Sequence, residues 1–470
     1  MQVNMELETE AWNMKNKQVG KRKGHLLLVP CPLQGHMNPM LHLATILHSH
    51  GFLITITETQ PSSPVVFPPH RPDFLFESID GLDNSPSEIF KGDVVTFLYT
   101  LNTKCKAPFH DCLSRIQTNS TQGPVTCIIH DAVMFFSVDV ADDMKIPRIV
   151  LRTSSATNFY GLSLLKQKGD LLAIQEQQLL EEPLDEIPFL RVKDMPLFNK
   201  SNQEVVDRVF DPIDDGTRTA SAIIWNSLSC LEQAICDKFK SKIGAPMFCI
   251  GPLHKHSNAA LSSFLTEEQS CISWLDTQRS NSVIYVSIGS LVMITETELA
   301  EMAWGLANSG HPFLWVIRPG LVHGSNGFDL LPTEFENITK KRGRIVGWAP
   351  QKEVLAHQTI GAFWTHNGWN STIESISEGV PMLCWPHVGD QKVNARLVSH
   401  LWRVGIQLER LERGNIEDYI RRLMAGEEGK QTKMRAMQLK EKIDVSIREG
   451  GSSHESVGNL ITFINLLLSC

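Results

Sequence analysis

At 470 residues the chain exceeds the size at which a single hydrophobic core keeps growing, so two domains separated by a cleft are expected. Its 42% hydrophobic and 20% charged residues match an ordinary globular protein and exclude a disordered chain or a fibrous repeat. The formal net charge of -8, with Lys21, Arg22 and Lys23 as an isolated basic run, leaves no electrostatic footprint for nucleic acid.

The ten cysteines stand without Cys-x-x-Cys pairs, a pattern of free thiols in a reducing compartment that points to a cytoplasmic location. Residues 1–23 are polar and lack the apolar stretch of a secretory signal, so a disordered extension is expected. The apolar run beginning at Leu460 is half the length a bilayer requires, and no membrane span is expected.

The first apolar run, LLLVP at residues 26–30, leads into a turn with Gly35 and a helical pattern over residues 38–50. Further apolar runs at 52–57, 125–131, 148–153, 222–227 and 247–252 alternate with helical stretches. Strands that are apolar on both faces and separated by helices indicate a parallel sheet covered on both sides. Residues 251–271 turn polar and are the expected interdomain linker. A second series follows at 282–290, 313–318, 344–348, 360–365, 381–386 and 404–409. The expected fold is α/β, with two doubly wound Rossmann-like domains at residues 24–250 and 272–445 facing across a ligand cleft. Residues 446–470 form a C-terminal helix expected to pack back on the first domain. No GxGxxG follows the first strand and no GxxxxGK[ST] occurs, which argues against a dinucleotide fold or a P-loop nucleotidase.

The run at 360–365 ends at His366, Asn367 and Gly368, and a helix begins at Trp369 or Asn370. A glycine in such a loop lets backbone approach a ligand, and the free N–H groups of a helix start favour a diphosphate. Side chains of His366, Asn370 and Ser371 add donors. No Asp-x-Asp pair occurs in the chain, so the helix end and His366, rather than a metal, are expected to neutralise charge.

Residues 348–391, WAPQKEVLAHQTIGAFWTHNGWNSTIESISEGVPMLCWPHVGDQ, resemble the C-terminal box of the plant family 1 UDP-glycosyltransferases, which have the GT-B fold. The motifs WAPQ, VLAH, THxGWNS, ES, GVP and DQ agree at the family's spacings, and the likeness extends over the chain from about Gly24. The resemblance implies that Trp348 stacks on uracil, that the Ala349 backbone reads its edge and that Glu374 takes the ribose hydroxyls. It also implies sugar contacts from Trp369, Asp390 and Gln391, the glutamine fitting glucose, and a phosphate contact from Ser290. Gln351, Gly368 and Ser371 complete the UDP-sugar set. Glu353, His357 and Glu378 are read as solvated or helix-capping, and Asn367, in place of the family's commoner cysteine, leaves the backbone donors intact.

His36 follows the first strand and Asp131 ends another parallel strand, so the two side chains can converge at one sheet edge. The pairing resembles the family's His-Asp dyad and implies a general base oriented by a carboxylate. His130 points away from Asp131 by strand alternation and is structural. Thr153 matches a position that reaches the sugar; Ser154 and Ser155 either do likewise or cap a helix. The acceptor pocket is expected from Phe135, Phe136, Phe159 and Phe198, with His387 closing from the other domain, although each is also an ordinary core residue. The resulting expectation is a monomer without a tightly bound cofactor that transfers glucose from UDP-glucose, with inversion, to a hydroxyl of a small lipophilic acceptor such as a terpenoid or phenolic. N-glucosylation and a catalytically silent nucleotide-sugar-binding protein remain as alternatives.

Overall fold

The computed structural model describes residues 23–61, 73–82, 94–119, 122–167, 179–197, 203–257, 265–322 and 328–469. In the N-terminal half the strands are β1 (His25–Val29), β2 (Leu53–Pro61), β3 (Leu75–Leu82), β4 (Cys127–Asp131), β5 (Arg148–Arg152), β6 (Pro183–Leu184), β7 (Ile187–Arg191), β8 (Ala222–Trp225) and β9 (Met247–Cys249). All but β6 and β7 join one parallel sheet in the order β3-β2-β1-β4-β5-β8-β9, while β6 and β7 pair as an antiparallel ribbon. The C-terminal half supplies β10 (Val283–Ser287), β11 (Phe313–Val316), β12 (Gly343–Val346), β13 (Ile360–Thr365), β14 (Met382–Cys384) and β15 (Gly405–Gln407). They form a second parallel sheet, β12-β11-β10-β13-β14-β15. The sequence pattern does not predict β3, because LFESIDGL mixes polar and apolar residues, as suits an edge strand that is only half covered.

Side chains along the first sheet alternate between two cores. Leu26, Leu28 and Ile54 pack with Met40, Leu460 and Ile464, whereas Leu27, Val29 and Val150 pack with Phe159, Trp225 and Phe239. Burying a Leu or Ile contributes about 1.5–3 kcal/mol. The C-terminal helix Ser452–Leu467, which places Val457, Leu460, Ile461 and Ile464 in the first of these cores, is therefore an integral part of the N-terminal domain. Ser453 Oγ also donates to the Gly251 carbonyl at 2.6 Å. Among the described residues nine cysteines are free, and no helix is long and apolar enough to cross a membrane.

Strand order reverses between β1 and β4 in one sheet and between β10 and β13 in the other. Ligands of open parallel sheets bind where such reversals leave a crevice beyond the strand ends. Four helices shape that region here: α1 (Gln34–Ser49), α2 (Ala156–Gln167), α3 (Trp369–Ser377) and α4 (Gln391–Arg396). α1 opens at Gln34 rather than residue 38, so His36 lies in its first turn instead of in a loop.

Candidate active site

A cavity of about 670 Å³, the size of a small-molecule site, lies between the two sheets. Both halves of the chain line it. His36, Asp131 and Thr153 come from the first, and Ser290, Trp348, Ala349, Gln351, His366, Gly368, Trp369, Asn370, Ser371, Glu374, Asp390 and Gln391 from the second.

Asp131 ends β4, and its Oδ1 accepts the Val133 N–H at 3.1 Å while Oδ2 lies 2.8 Å from His36 Nδ1. Thr153 Oγ1 lies 3.1 Å from the same nitrogen. Nδ1 is thereby committed to the carboxylate, which leaves Nε2 as the nitrogen able to take a proton. Burial works against an imidazolium at His36, but the charge and hydrogen bond of Asp131, with Asp390 adding its field, outweigh it. The His36 pKa is raised, and Arg152 opposes the rise. Burial also pushes the Asp390 carboxyl up, against the Asn394 hydrogen bond and the pull of His36.

On the opposite wall His366 is held between two glycines. A Cβ at Gly289 would lie 2.5 Å from the imidazole and one at Gly368 2.6 Å from it, and Gly289 also has φ +73. These close approaches exclude any side chain at either position. Burial and the nearby His387 drive the His366 pKa down to about 3. Held so far down, the ring is a hydrogen-bonding group and adds little positive charge of its own. Charge complementarity to an anion falls to the start of α3, which has no side-chain cap and no acidic residue in its first turn. Asn367 precedes it with φ +61, a left-handed conformation that asparagine tolerates, and its carbonyl accepts from Asn394 Nδ2 at 2.9 Å.

The Gln351 amide donates to Ser371 Oγ at 3.0 Å and to Glu374 Oε2 at 2.7 Å, fixing both on the cavity wall. Burial raises the Glu374 pKa, and the Gln351 hydrogen bond counters it. The loop carrying Trp348 is pinned by Glu268, whose N–H donates to the Trp348 carbonyl at 2.9 Å and whose Oε1 accepts from Gly347 at 2.6 Å. Trp369 is only 3% exposed, and its indole N–H donates to the Asn226 carbonyl at 2.7 Å, across the domain boundary. Gln391 Oε1 accepts the N–H groups of His387 and Val388 at 2.8 and 3.0 Å, shaping the loop before α4.

The acceptor side corrects part of the sequence reading. Phe159 lines the cavity, but Phe135 and Phe136 do not. Phe136 packs edge-on against Phe109, 5.3 Å away, and Phe135 packs against the same core. His387 does not line the cavity either; its ring lies 4.1 Å from that of Trp385. Phe198 lies outside the described residues. The apolar wall is instead Leu33, Val133, Phe159, Leu162, Phe210 and Ile213, joined by Arg152 and Asn158. The Arg152 guanidinium lies 3.8 Å over the Phe159 ring. Glu267 and Gln269, from the expected linker, line the cavity beside Trp348. Glu378 is the C-cap of α3, its N–H donating to the Ser375 carbonyl at 3.1 Å, and its carboxylate pairs with Lys255 and, at 2.7 Å, with Lys440 rather than with solvent. His130 is buried, with Nδ1 3.0 Å from the Asp131 carbonyl oxygen.

Two residues that sequence reasoning passed over hold this site together. Buried Glu232 accepts the N–H groups of Ala156 and Thr157 at 3.1 and 2.8 Å and the Thr157 hydroxyl at 2.6 Å, and it also bonds Ser227. It thereby anchors the start of α2 just beyond Thr153. Ser155 Oγ accepts the Asn158 N–H at 3.1 Å, the capping role among those considered for it. Asn226, buried at the end of β8, bonds groups in both domains.

Two parallel-sheet domains meeting at a deep cavity are the architecture of the GT-B fold, here with a His-Asp pair on one wall and an uncapped helix start on the other. The family described as UDP-glucoronosyl and UDP-glucosyl transferase matches residues 241–445. UDP-glycosyltransferase 76E1 of Solanum lycopersicum is 45% identical over 461 residues, covering 96% of this chain and 94% of that protein. UDP-glycosyltransferase 76B1 of Arabidopsis thaliana is 42% identical over 443 residues, covering 93% and 97% respectively. Among solved structures, Os79 from O. sativa in complex with UDP aligns with a TM-score of 0.79 at 27% identity, covering 93% of this chain and 99% of that one. Medicago truncatula UGT71G1 complexed with UDP-glucose aligns with a TM-score of 0.79 at 27% identity, covering 94% and 98%. The chain belongs to the plant UDP-glycosyltransferases, within the group numbered 76.

Proposed function

We propose that this UDP-glycosyltransferase transfers glucose from UDP-glucose to a hydroxyl of a small acceptor in a single displacement that inverts the anomeric centre. The observation that carries this reading is the convergence of the His36–Asp131 pair and the open start of α3 on one cavity. The diphosphate lies against the α3 N–H groups, the uracil on Trp348 and the ribose hydroxyls at Glu374. Trp369, Asp390 and Gln391 border the sugar, and Thr153 approaches it from the side of the base. His36 Nε2 removes the acceptor proton as the oxygen attacks, and Asp131 stabilises the imidazolium that forms. Helix amides and a neutral His366 supply the phosphate donors, so the reading assigns no role to a metal. Both walls belong to one chain, which suits a monomer. The mixed acceptor wall of Phe159, Leu162, Phe210 and Ile213 beside Arg152 and Asn158 suits a small, partly polar aglycone.

The test is incubation of the pure protein with UDP-glucose and a panel of phenols, terpenoids and amines in excess EDTA, read by mass spectrometry. A hexosylated hydroxyl product with released UDP is the expected result. Turnover lost in EDTA and restored by magnesium or manganese would remove the metal-free reading. A higher kcat/KM with UDP-galactose or UDP-glucuronate would remove glucose as the donor.

A further inference from the structure

Pro39 lies inside α1 and has no N–H, so the carbonyl of Gly35, four residues earlier, is denied its helical partner. That carbonyl instead accepts from Asn370 Nδ2 at 2.6 Å, across the cleft. Asn370 Oδ1 accepts from Asn226 Nδ2 at 3.1 Å, and Asn226 Oδ1 accepts the Leu253 N–H at 3.2 Å. Both ends of this chain of hydrogen bonds are backbone groups, a donor at Leu253 and an acceptor at Gly35, whose polarity cannot reverse. The orientation of each side-chain amide between them is therefore determined: the Asn370 NH₂ faces Gly35 and its carbonyl oxygen faces Asn226. Gly35 and Asn370 both line the cavity, so the end of the amide held on the Gly35 side of it is the donor end.

We infer that Asn226 is a positioning residue that sets the polarity of Asn370 for the donor diphosphate and ties the donor helix to the turn carrying His36. The inference rests on the UDP-sugar reading above. Asn226 is suited to this task because its main chain is also committed: its N–H donates to the Arg152 carbonyl at 3.0 Å and its carbonyl accepts the Trp369 indole N–H at 2.7 Å. At 5% exposure it has no freedom to turn. An aspartate in its place would still accept from Leu253 but would set an oxygen against Asn370 Oδ1, and turning the Asn370 amide to relieve that contact would set its oxygen against the Gly35 carbonyl, so neither orientation of Asn370 stays satisfied and its donor end is no longer held in place.

The experiment is calorimetric titration of UDP into the full chain, without acceptor, alongside thermal midpoints. Asn226→Asp is expected to weaken UDP binding about tenfold, and Asn226→Ala, which loses one neutral hydrogen bond without introducing a repulsion, about fivefold. In an Asn370→Ala background Asn226→Asp should add less than twofold, because the two act as a unit. Pro39→Ala restores an N–H that competes for the Gly35 carbonyl, so UDP affinity should fall severalfold while the thermal midpoint holds or rises. A merely structural role would move stability and affinity together. Asn226→Asp binding UDP within twofold of wild type, or losing as much again in the Asn370→Ala background, would overturn the inference. If Asn226→Asp does not fold, an unchanged UDP affinity in Pro39→Ala does the same. Absence of UDP binding by the wild-type chain would overturn the donor-site reading itself, and this inference with it.

Discussion

Asp131 and His36 divide one task by burial: the Asp131 side chain is 1% exposed and the His36 side chain 28%, with 2.8 Å between Oδ2 and Nδ1. The carboxylate is fixed in the sheet, and the imidazole it holds reaches into the cavity. A carboxylate kept from water orients and charges its partner more strongly than an exposed one.

His36→Ala should lower kcat by roughly 10² or more while leaving UDP affinity nearly unchanged, since the residues proposed to contact uracil, ribose and phosphate lie in the other domain. Near-wild-type turnover of a weakly acidic alcohol by this variant would place the base elsewhere.

With His36 as the proposed base the neutral imidazole is the active form, and the His36 pKa is raised above its ordinary 6.5. Activity should therefore rise with pH along a limb centred above 6.5. Asp131→Asn removes the charge that sustains the rise, so the limb should move to lower pH while the maximum rate falls. A phenol more acidic than the natural acceptor should lose less. A limb that stays in place in Asp131→Asn would disconnect the pair.

Glu374→Ala should raise KM for UDP-glucose tenfold or more with a smaller effect on kcat, since a hydrogen bond to a charged group is worth about 1.5–3 kcal/mol. Gln351→Ala should reproduce part of this loss, because Gln351 holds the carboxylate by a 2.7 Å hydrogen bond. Equal KM values in all three proteins would remove Glu374 from the donor site.

Glu232→Ala strands the N–H groups of Ala156 and Thr157 and two hydroxyls in a buried setting. A loss of about 3 kcal/mol or more is expected, seen as a lower denaturant midpoint, with acceptor KM raised and UDP affinity unchanged. A midpoint within error of wild type would show that α2 is anchored by other contacts.

Acid should destabilise the fold well before its carboxylates titrate. Burial holds His130 and His256 at about 4 and His254 and His366 at about 3. The unfolded chain protonates these rings near 6.5, so it binds more protons than the native state below that pH, and stability falls as pH drops from 6.5 toward 4. His36, Glu374 and Asp390, all raised, act with the opposite sign and offset part of the loss. Denaturant midpoints at pH 7.5 and 5 should show the decline. His256→Gln, which can keep a hydrogen bond to Ser453, should flatten it.

What the sequence determined by itself is what depends on short-range pattern. Apolar runs separated by helices define two parallel sheets, because a strand buried on both faces shows it in consecutive residues. The box at residues 348–391 carries its candidate site residues on one loop, one helix start and their neighbours; the resemblance implied a shared donor site for them, and they line one cavity. His36 and Asp131 were legible because strand ends of a parallel sheet share an edge. The tertiary structure alone decided the acceptor wall and the joints between domains. Phe135, Phe136 and Phe159 are equally apolar, and only the packing of the surrounding helices turns Phe159 to the cavity and Phe136 toward Phe109. Asn226 and Glu232 left no signal, because their meaning lies in partners remote in sequence: 144 residues separate Asn226 from Asn370. A buried polar side chain is defined by the groups it satisfies, and those are brought to it only when the chain folds.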